Sequence, residues 1–341
     1  VLILDGSQGE GGGQIVRTAL TLSCITGTPF TIKNIRAGRS SPGLRPQHIT
    51  SIYAAAEICQ AEVKGVAVDS QEIMFIPRDK VRHGQYEWAV GTAGAATLVL
   101  QTVLLPLALA EGHSTIQIHG GTHVPFSPSA HYLRDVYIPL LLSLGVNVEL
   151  YIEEFGWMPE GGGTLRAHAH GKAHLTGLDM SDRGDLERVL GSAVGCNLPS
   201  HIPQRITNRA LNLLEPVIDV PLDIRPVRAK TISTGAGLFL AAEYANGRGG
   251  FGVLGRKGMP SEVVAEKAVS ALLAFHDSDA ALDSHLADQL VIPLALAPDE
   301  SIFTTQELTP HLLTNIAVVQ AFAERQIELD EDEHSVLFAA P

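Results

Sequence analysis

The sequence predicts an α/β (α+β) protein: a large domain of three βαβ-type repeats, each setting two helices on a small sheet, with a smaller inserted α/β domain. Three observations carry this. Two distant segments, "LVLQTVLLPLALAEG" and "LADQLVIPLALAPD", nearly repeat each other, and each runs on into an alternating strand, "STIQIHGG" and "SIFTTQEL". Three later segments, "SSPGLRPQHITSIYAAAEI", "FSPSAHYLRDVYIPLLLSL" and "LTPHLLTNIAVVQAFAE", each place a Ser or Thr and a proline ahead of a histidine-bearing apolar helix. Residues 178–278 fit neither pattern. The repeats therefore take residues 1–177 and 279–341, and residues 178–278 form the insert.

In chain order, "GGGQIVRTALTLSCITGTPFTIKNI" has the helix, glycine turn and strand of a first unit. After its second helix, "AEVKGVAV" and "EIMFIP" read as paired strands. The apolar run "GAATLVLQTVLLPLALA" opens the second unit; Gln101, Pro106 and its short length make it a buried helix rather than a membrane span. "VNVELYI" and "GTLRAHA" close that unit. The insert reads as a helix "SDRGDLERVLGSAVG", a second near "PQRITNRALNLL", strands "LDIRPV" and "GLFLAAEYA", a Gly-rich turn and the helix "SEVVAEKAVSALLAF". The string "NGRGGFGVLGRKGMPSE" lacks the spacing of a P-loop, so its glycines are assigned to a hairpin turn.

The formal charge of −13 argues against a protein that coats long nucleic acid, because such binding rests on many Lys and Arg contacts to phosphate. A short end or a nucleotide stays within reach. Three widely spaced cysteines give neither a disulfide framework nor a zinc pattern, and the opening "VLILDGSQGE" lacks a basic n-region, so a cytoplasmic protein is expected, with no membrane and no obligate protein partner.

Within that acidic chain, residues 11–56 hold no Asp or Glu, yet contain Arg17, Lys33, Arg36, Arg39 and Arg45 with Gln14, Gln47 and His48. Arginine grips phosphate bidentately, so this segment is the candidate site for a terminal phosphate or a polyphosphate; the competing reading is a basic face balanced by acids elsewhere. "DGSQGEGGGQ" is a Gly-rich loop before a helix, with Glu10 a candidate ligand for magnesium or manganese, although "PEGGG" at residues 159–163 repeats the string where it marks a turn. Gln101, Asp288 and Gln289 are polar groups on related turns of apolar helices. In "RAHAHGKAH", His168 and His170 share a strand face, consistent with metal binding or with simple surface alternation.

His311 stands out by position. Thr309 is a good N-cap and Pro310 suits the first helical position, so His311 lies in a first turn among unpaired N–H groups. Leu312, Ile316, Val319 and Ala323 form one apolar stripe, which turns His311 away from the core with Thr314 and Asn315. The positive helix end favours an anion nearby and a neutral imidazole.

Taken together, "DGSQGEGGGQIVRTAL", "IRAGRSSPGLRPQH", "GTAGAATLVLQTVLLP", "PEGGG", "HLADQLVIPLALA" and "PHLLTNIAVV" closely resemble the RNA 3'-terminal phosphate cyclase family over nearly the whole chain. The resemblance implies an ATP-dependent ligase that converts an RNA 3'-terminal phosphate to a 2',3'-cyclic phosphate through a histidine–AMP adduct. It makes His311 the nucleophile and Glu10 the ligand of Mg2+ or Mn2+. It assigns Arg17, Arg36, Arg39, Gln47 and His48 to the RNA phosphate, and Gln101, Pro128, His285, Leu286, Ala287, Asp288 and Gln289 to the adenylate. His285 departs from the tyrosine frequent before "LADQ" in bacterial members. Two alternatives remain: a non-catalytic cyclase-like protein of ribosome assembly, whose branch lacks the histidine, and an enolpyruvyl transferase, also built from repeated units.

Overall fold

The computed structural model describes residues 1–9 and 11–340. The first unit runs β1 (Leu2–Asp5), α1 (Gln14–Thr26), β2 (Phe30–Lys33), α2 (Pro46–Cys59), β3 (Glu62–Lys64) and β4 (Ile73–Ile76). The second runs β5 (Gln85–Ala89), α3 (Ala96–Leu109), β6 (Ser114–Gly120), then α4 (Ala130–Tyr132) continuing through a π-helical stretch, Leu133–Tyr137, into α5 (Ile138–Ser143), and β7 (Val148–Glu154) with β8 (Gly163–Ala169). The third opens with β9 (Asp179–Met180) and is interrupted. The chain passes through β10 (Leu186–Cys196), α6 (His201–Leu214), β11 (Leu222–Ala229), β12 (Gly235–Tyr244), β13 (Arg248–Leu254) and α7 (Ser261–His276). It then returns as α8 (Ser284–Leu296), β14 (Ser301–Thr304), α9 (Pro310–Phe322), β15 (Ile327–Asp330) and β16 (Ser335–Phe338).

Each unit forms a four-stranded sheet of the same order: β1-β2-β4-β3, β5-β6-β8-β7 and β9-β14-β16-β15. The first two strands of each pair in parallel, as a crossover helix requires, and the last two join antiparallel. The opening strand of each unit was not apparent in the sequence. The third, Asp179–Met180, lies inside the span assigned to the insert yet pairs with Ile302–Phe303 of the third repeat sheet.

The units close into a ring. The second helix of each packs on the first helix of the next: α2 on α3, the π-helical stretch on α8, and α9 on α1. Their apolar faces meet in one core that includes Leu20, Ile52, Val103, Leu141, Leu290 and Ile316. Pro106 and Pro293 sit at matching places inside α3 and α8. Among the described residues no helix is long and apolar enough to cross a membrane.

The insert is a sheet of order β11-β10-β12-β13 carrying α6 and α7, with its own apolar core. Its first element corrects the sequence reading: "LERVLGSAVGC" is the strand β10, not a helix. The strand is central, parallel to β11 and antiparallel to β12, and Val189, Ala193 and Val194 are fully buried. Gly195 lets α6 pack closely on the strand, because a Cβ there would stand 2.9 Å from Pro203 at the start of that helix. The assigned hairpin turn is also narrower than expected. Ala245, Asn246 and Gly247 connect β12 to β13, whereas Gly249, Gly250 and Gly252 belong to β13 itself.

Candidate active site

A cleft of about 1200 Å³ opens where the starts of α1, α2, α4 and α9 converge, with α3 and α8 contributing side chains and β12 and β13 of the insert forming one wall. All three repeats thus contribute to one site. His48, His131 and His311, which open the corresponding second helices, all line it.

His311 is positioned by its helix start. Thr309 caps α9 by accepting the Leu312 N–H at 3.1 Å, and Pro310 occupies the first turn. The apolar stripe predicts that the side of α9 carrying Thr314 and Asn315 faces away from the core, yet that side is covered by neighbouring helices. Thr314 and Asn315 are buried, Asn315 accepts from Thr18 Oγ1 at 2.6 Å and donates to the Asp288 carbonyl at 2.8 Å. These contacts fix α9 against α1 and α8.

A polar chain runs from His311 into the cleft. Gln14 Nε2 donates to Asp288 Oδ1 at 3.2 Å, which turns Gln14 Oε1 toward His311 Nδ1 at 2.5 Å. The amide oxygen accepts only, so Nδ1 carries the hydrogen and a neutral ring holds its lone pair on Nε2. Burial lowers the imidazole below its ordinary range, and the charges of His285, Arg17 and Arg39 lower it further. Behind this chain Arg17 and Asp288 oppose each other. Desolvation pulls the Arg17 guanidinium down to about 10 and lifts the Asp288 carboxyl to about 7, each resisted by the partner's charge.

His48 is held differently. Its Nδ1 accepts the Arg45 backbone N–H at 3.0 Å, so its hydrogen is on Nε2, which abuts Gly13. Burial and the charges of Arg17, Arg36 and Arg45 lower its pKa to about 3. Gly13 has ordinary helical φ of −79°, and glycine is needed there for space alone, since a Cβ would stand 2.2 Å from His48 Nε2.

The basic loop is partly spent on its own shape. Arg36, at φ 54°, donates through Nη1 to the carbonyls of Ser41 at 2.8 Å and Gly43 at 3.0 Å. Arg45 donates to the Pro42 carbonyl and pairs with Asp69 at 2.8 Å. Lys33 lies exposed on β2, outside the cleft lining. Arg39 is exposed at the cleft. Gln47 accepts the Ala95 N–H at 2.9 Å, tying the loop to the second unit.

The polar residues of the apolar helices converge. Gln101 Nε2 donates to Gln289 Oε1 at 2.6 Å, and Gln289 Nε2 donates to the His285 carbonyl at 2.8 Å. His285 is exposed and Pro128 lines the same cleft. Two residues of the expected adenylate set do not: Leu286 and Ala287 are fully buried in the repeat core, because the apolar stripe of α8 includes them. Glu10 lies outside the described residues. His168 on β8 and His170 just past its end stand apart from the cleft, with His168 Nδ1 3.2 Å from Thr115 Oγ1, and no group of three or more His, Cys, Asp or Glu is assembled to hold a metal among the described residues.

Sequence reasoning missed Asp283. This buried carboxylate caps α8 through the N–H groups of His285 at 2.9 Å and Leu286 at 3.1 Å. It also accepts from Tyr132 of the second unit at 2.9 Å and from the Gly250 N–H of the insert at 2.9 Å. One side chain therefore fixes α8, the second unit and the insert wall to one another. The available signal was the Asp-Ser pair ahead of an apolar helix, the pattern of an N-cap. Gly250 makes room for the Tyr132 contact, since a Cβ there would lie 2.6 Å from the Tyr132 ring.

Comparison with known proteins follows this geometry. The model of the family described as RNA 3'-terminal phosphate cyclase matches residues 8–329. A protein of Trichormus variabilis named RNA 3'-terminal phosphate cyclase is 47% identical, over 99% of this chain and 98% of that protein. Proteins of the same name from Methylococcus capsulatus, at 48% over 96% and 93%, and Salmonella agona, at 41% over 98% and 96%, are similar as well. Among solved structures, the enolpyruvyl transferase NikO of Streptomyces tendae aligns at 15% identity over 49% of this chain and 32% of that one, with a TM-score of 0.27, too low to carry an argument. The chain belongs to the RNA 3'-terminal phosphate cyclase family.

Proposed function

We propose that the protein is an ATP-dependent RNA 3'-terminal phosphate cyclase that works through a covalent adenylate on His311. The observation that carries this reading is the Gln14–His311 hydrogen bond, which holds the hydrogen on Nδ1 and leaves Nε2 as the nucleophilic nitrogen of a neutral ring. In the first step His311 Nε2 attacks the α-phosphorus of ATP, the α–β anhydride breaks, and pyrophosphate leaves. An oxygen of the RNA 3'-phosphate then attacks the same phosphorus, the P–N bond breaks, and the ring regains its lone pair. In the last step the adjacent 2'-hydroxyl attacks the RNA phosphorus, loses its proton and expels AMP, leaving the 2',3'-cyclic phosphate.

The chain's other residues position and neutralise. Gln101, Asp288 and Gln289, with Pro128 and His285 at the same cleft, suit the adenylate; Leu286 and Ala287 hold the helix from behind. Arg17 and Arg39 suit the phosphates. Arg36, Gln47 and His48 shape the loop that receives the RNA end, with His48 presenting its Nε2–H. A magnesium or manganese ion would neutralise phosphate charge; its expected ligand Glu10 is outside the described residues, and none of these steps depends on a geometry for it.

Incubation with α-labelled ATP and a divalent ion tests the reading. An acid-labile covalent adenylate is expected, discharged by RNA with a 3'-phosphate and not by its 3'-hydroxyl counterpart. A non-catalytic member or an enolpyruvyl transferase would take up no label.

A further inference from the structure

One part of the cleft has no task in these steps. Between β6 and α4 the chain carries Phe126, which is fully exposed at 103% and adopts φ 63°. Every other phenylalanine is buried or partly buried. A bulky residue in the left-handed region is strained, so an aromatic ring kept in water in that conformation is unusual. The ring stands at the cleft lining, five residues ahead of His131.

His131 brings a donor of fixed polarity to the same cleft. Thr122 Oγ1 accepts the Gly156 N–H at 2.9 Å, so its own hydrogen goes to His123 Nδ1 at 2.7 Å, its remaining partner. Burial and the charge of Arg134 lower the pKa of His123 to about 3, and the ring is neutral. It therefore carries its hydrogen on Nε2 and donates to His131 Nδ1 at 2.8 Å. His131, also held neutral by burial, keeps its hydrogen on Nε2, the edge left for a ligand. The ring cannot swing away, because it lies parallel to Phe239 of β12, with centroids 5.0 Å apart.

The geometry points to a nucleobase subsite: Phe126 stacks on the base of the RNA's terminal nucleotide, and His131 Nε2–H donates to an acceptor on that base, against the apolar wall of β12 and β13. This rests on the reading of the cleft as the site of an RNA end. A phosphate would be drawn instead to the arginine loop on the first unit's side, whereas an exposed ring, a neutral donor and an apolar wall lining one cleft match a π-face with an acceptor-bearing edge. Adenine of ATP is the less suitable occupant, since Phe126 is fully exposed. A strand leaving the cleft passes over such a ring; a small nucleotide held inside does not.

The test is equilibrium binding of a short 3'-phosphorylated RNA without ATP, with and without the terminal base. Phe126→Ala should weaken binding by roughly tenfold and Phe126→Trp should retain it. Folding is not at issue for a ring outside all packing. Removing the terminal base should cost wild type more than Phe126→Ala does, and should cost Phe126→Ala only the smaller factor of the His131 hydrogen bond. Equal binding by wild type and Phe126→Ala, or two losses that multiply, would overturn the subsite. So would a Phe126→Ala defect in the ATP concentration dependence of covalent AMP formation, which would assign the ring to adenine. Because RNA binding is read without ATP, a wild type that binds RNA through Phe126 but forms no adenylate would sink the cyclase reading alone. A wild type that binds no RNA would sink both.

Discussion

Gln14 Oε1 lies 2.5 Å from His311 Nδ1, although 297 positions separate the two residues. The contact joins the first helix of the first repeat to the second helix of the third, across the seam where the ring closes. A nucleophile is thereby oriented by a side chain that is itself held by Asp288. Gln14→Ala should slow covalent AMP formation by about 100-fold, the usual cost of losing orientation at a reacting atom. The readout that separates positioning from folding is the pH profile. With Gln14 present the acid limb should fall below pH 6.5, because the His311 pKa is lowered and the ring must be neutral to attack. In the variant the rate should fall while the acid limb stays below pH 6.5, since burial and the charges of His285, Arg17 and Arg39, not Gln14, lower the ring's pKa. An unchanged rate with an unchanged profile would remove Gln14 from the mechanism.

Gly13→Ala should destabilise the protein by about 1–3 kcal/mol, as overpacking does, because the new Cβ meets the His48 ring and not because of the backbone. Thermal denaturation should show the loss, and His48→Ala in the same chain should return most of it. Additive destabilisation in the double variant would mean that the two residues do not share the space.

How much of this site the sequence discloses depends on what each residue answers to. Thr309, Pro310 and His311 obey local capping chemistry, so the start of α9 was readable, and the matching Pro106 and Pro293 made the repeats visible. Gln101 and Gln289 could be singled out as polar residues in apolar helices, but not as partners of each other. Contacts fixed by ring closure left no local trace: Gln14 with His311, and Asp283 with Tyr132 and Gly250. Leu286 and Ala287 were drawn into the site by adjacency in sequence, whereas the helix turns them inward. The apolar spacing of β10 fits both the helical and the strand period, and burial on both sides of a central strand hides the alternation, so the sequence alone points to a helix there.

Acid should unfold this protein from below neutrality. His48, His123 and His131 are buried neutral with pKa values lowered to about 3, to about 3 and well below 6.5 respectively. An unfolded chain protonates each near 6.5, so the stability from each ring is complete above pH 6.5 and falls by about 1.4 kcal/mol per pH unit as pH drops toward the folded value. Asp288 acts in the opposite sense. Its carboxyl is raised to about 7, so its contribution is fullest below 3.8 and is lost as pH rises through 7. The melting temperature should therefore fall steeply between pH 6.5 and 4.5, and Asp288→Asn should steepen that fall. A melting temperature flat over this interval would show that the histidines are not held neutral.

Arg39→Ala should impair transfer of AMP to RNA more than formation of the protein adenylate, since Arg39 stands exposed at the cleft on the loop assigned to the RNA end. Single-turnover measurements of each step separate the two. A parallel loss in both would place Arg39 on ATP.

The central claim is that AMP is carried on His311 Nε2, and peptide mapping after labelling with α-labelled ATP tests it most directly. The label is expected on the fragment containing "TPHLLTN", acid-labile as a phosphoramidate, and absent from His311→Ala and from His311→Asn, which is polar but has no ring nitrogen. Label on a lysine, or label persisting in His311→Ala, would contradict the mechanism.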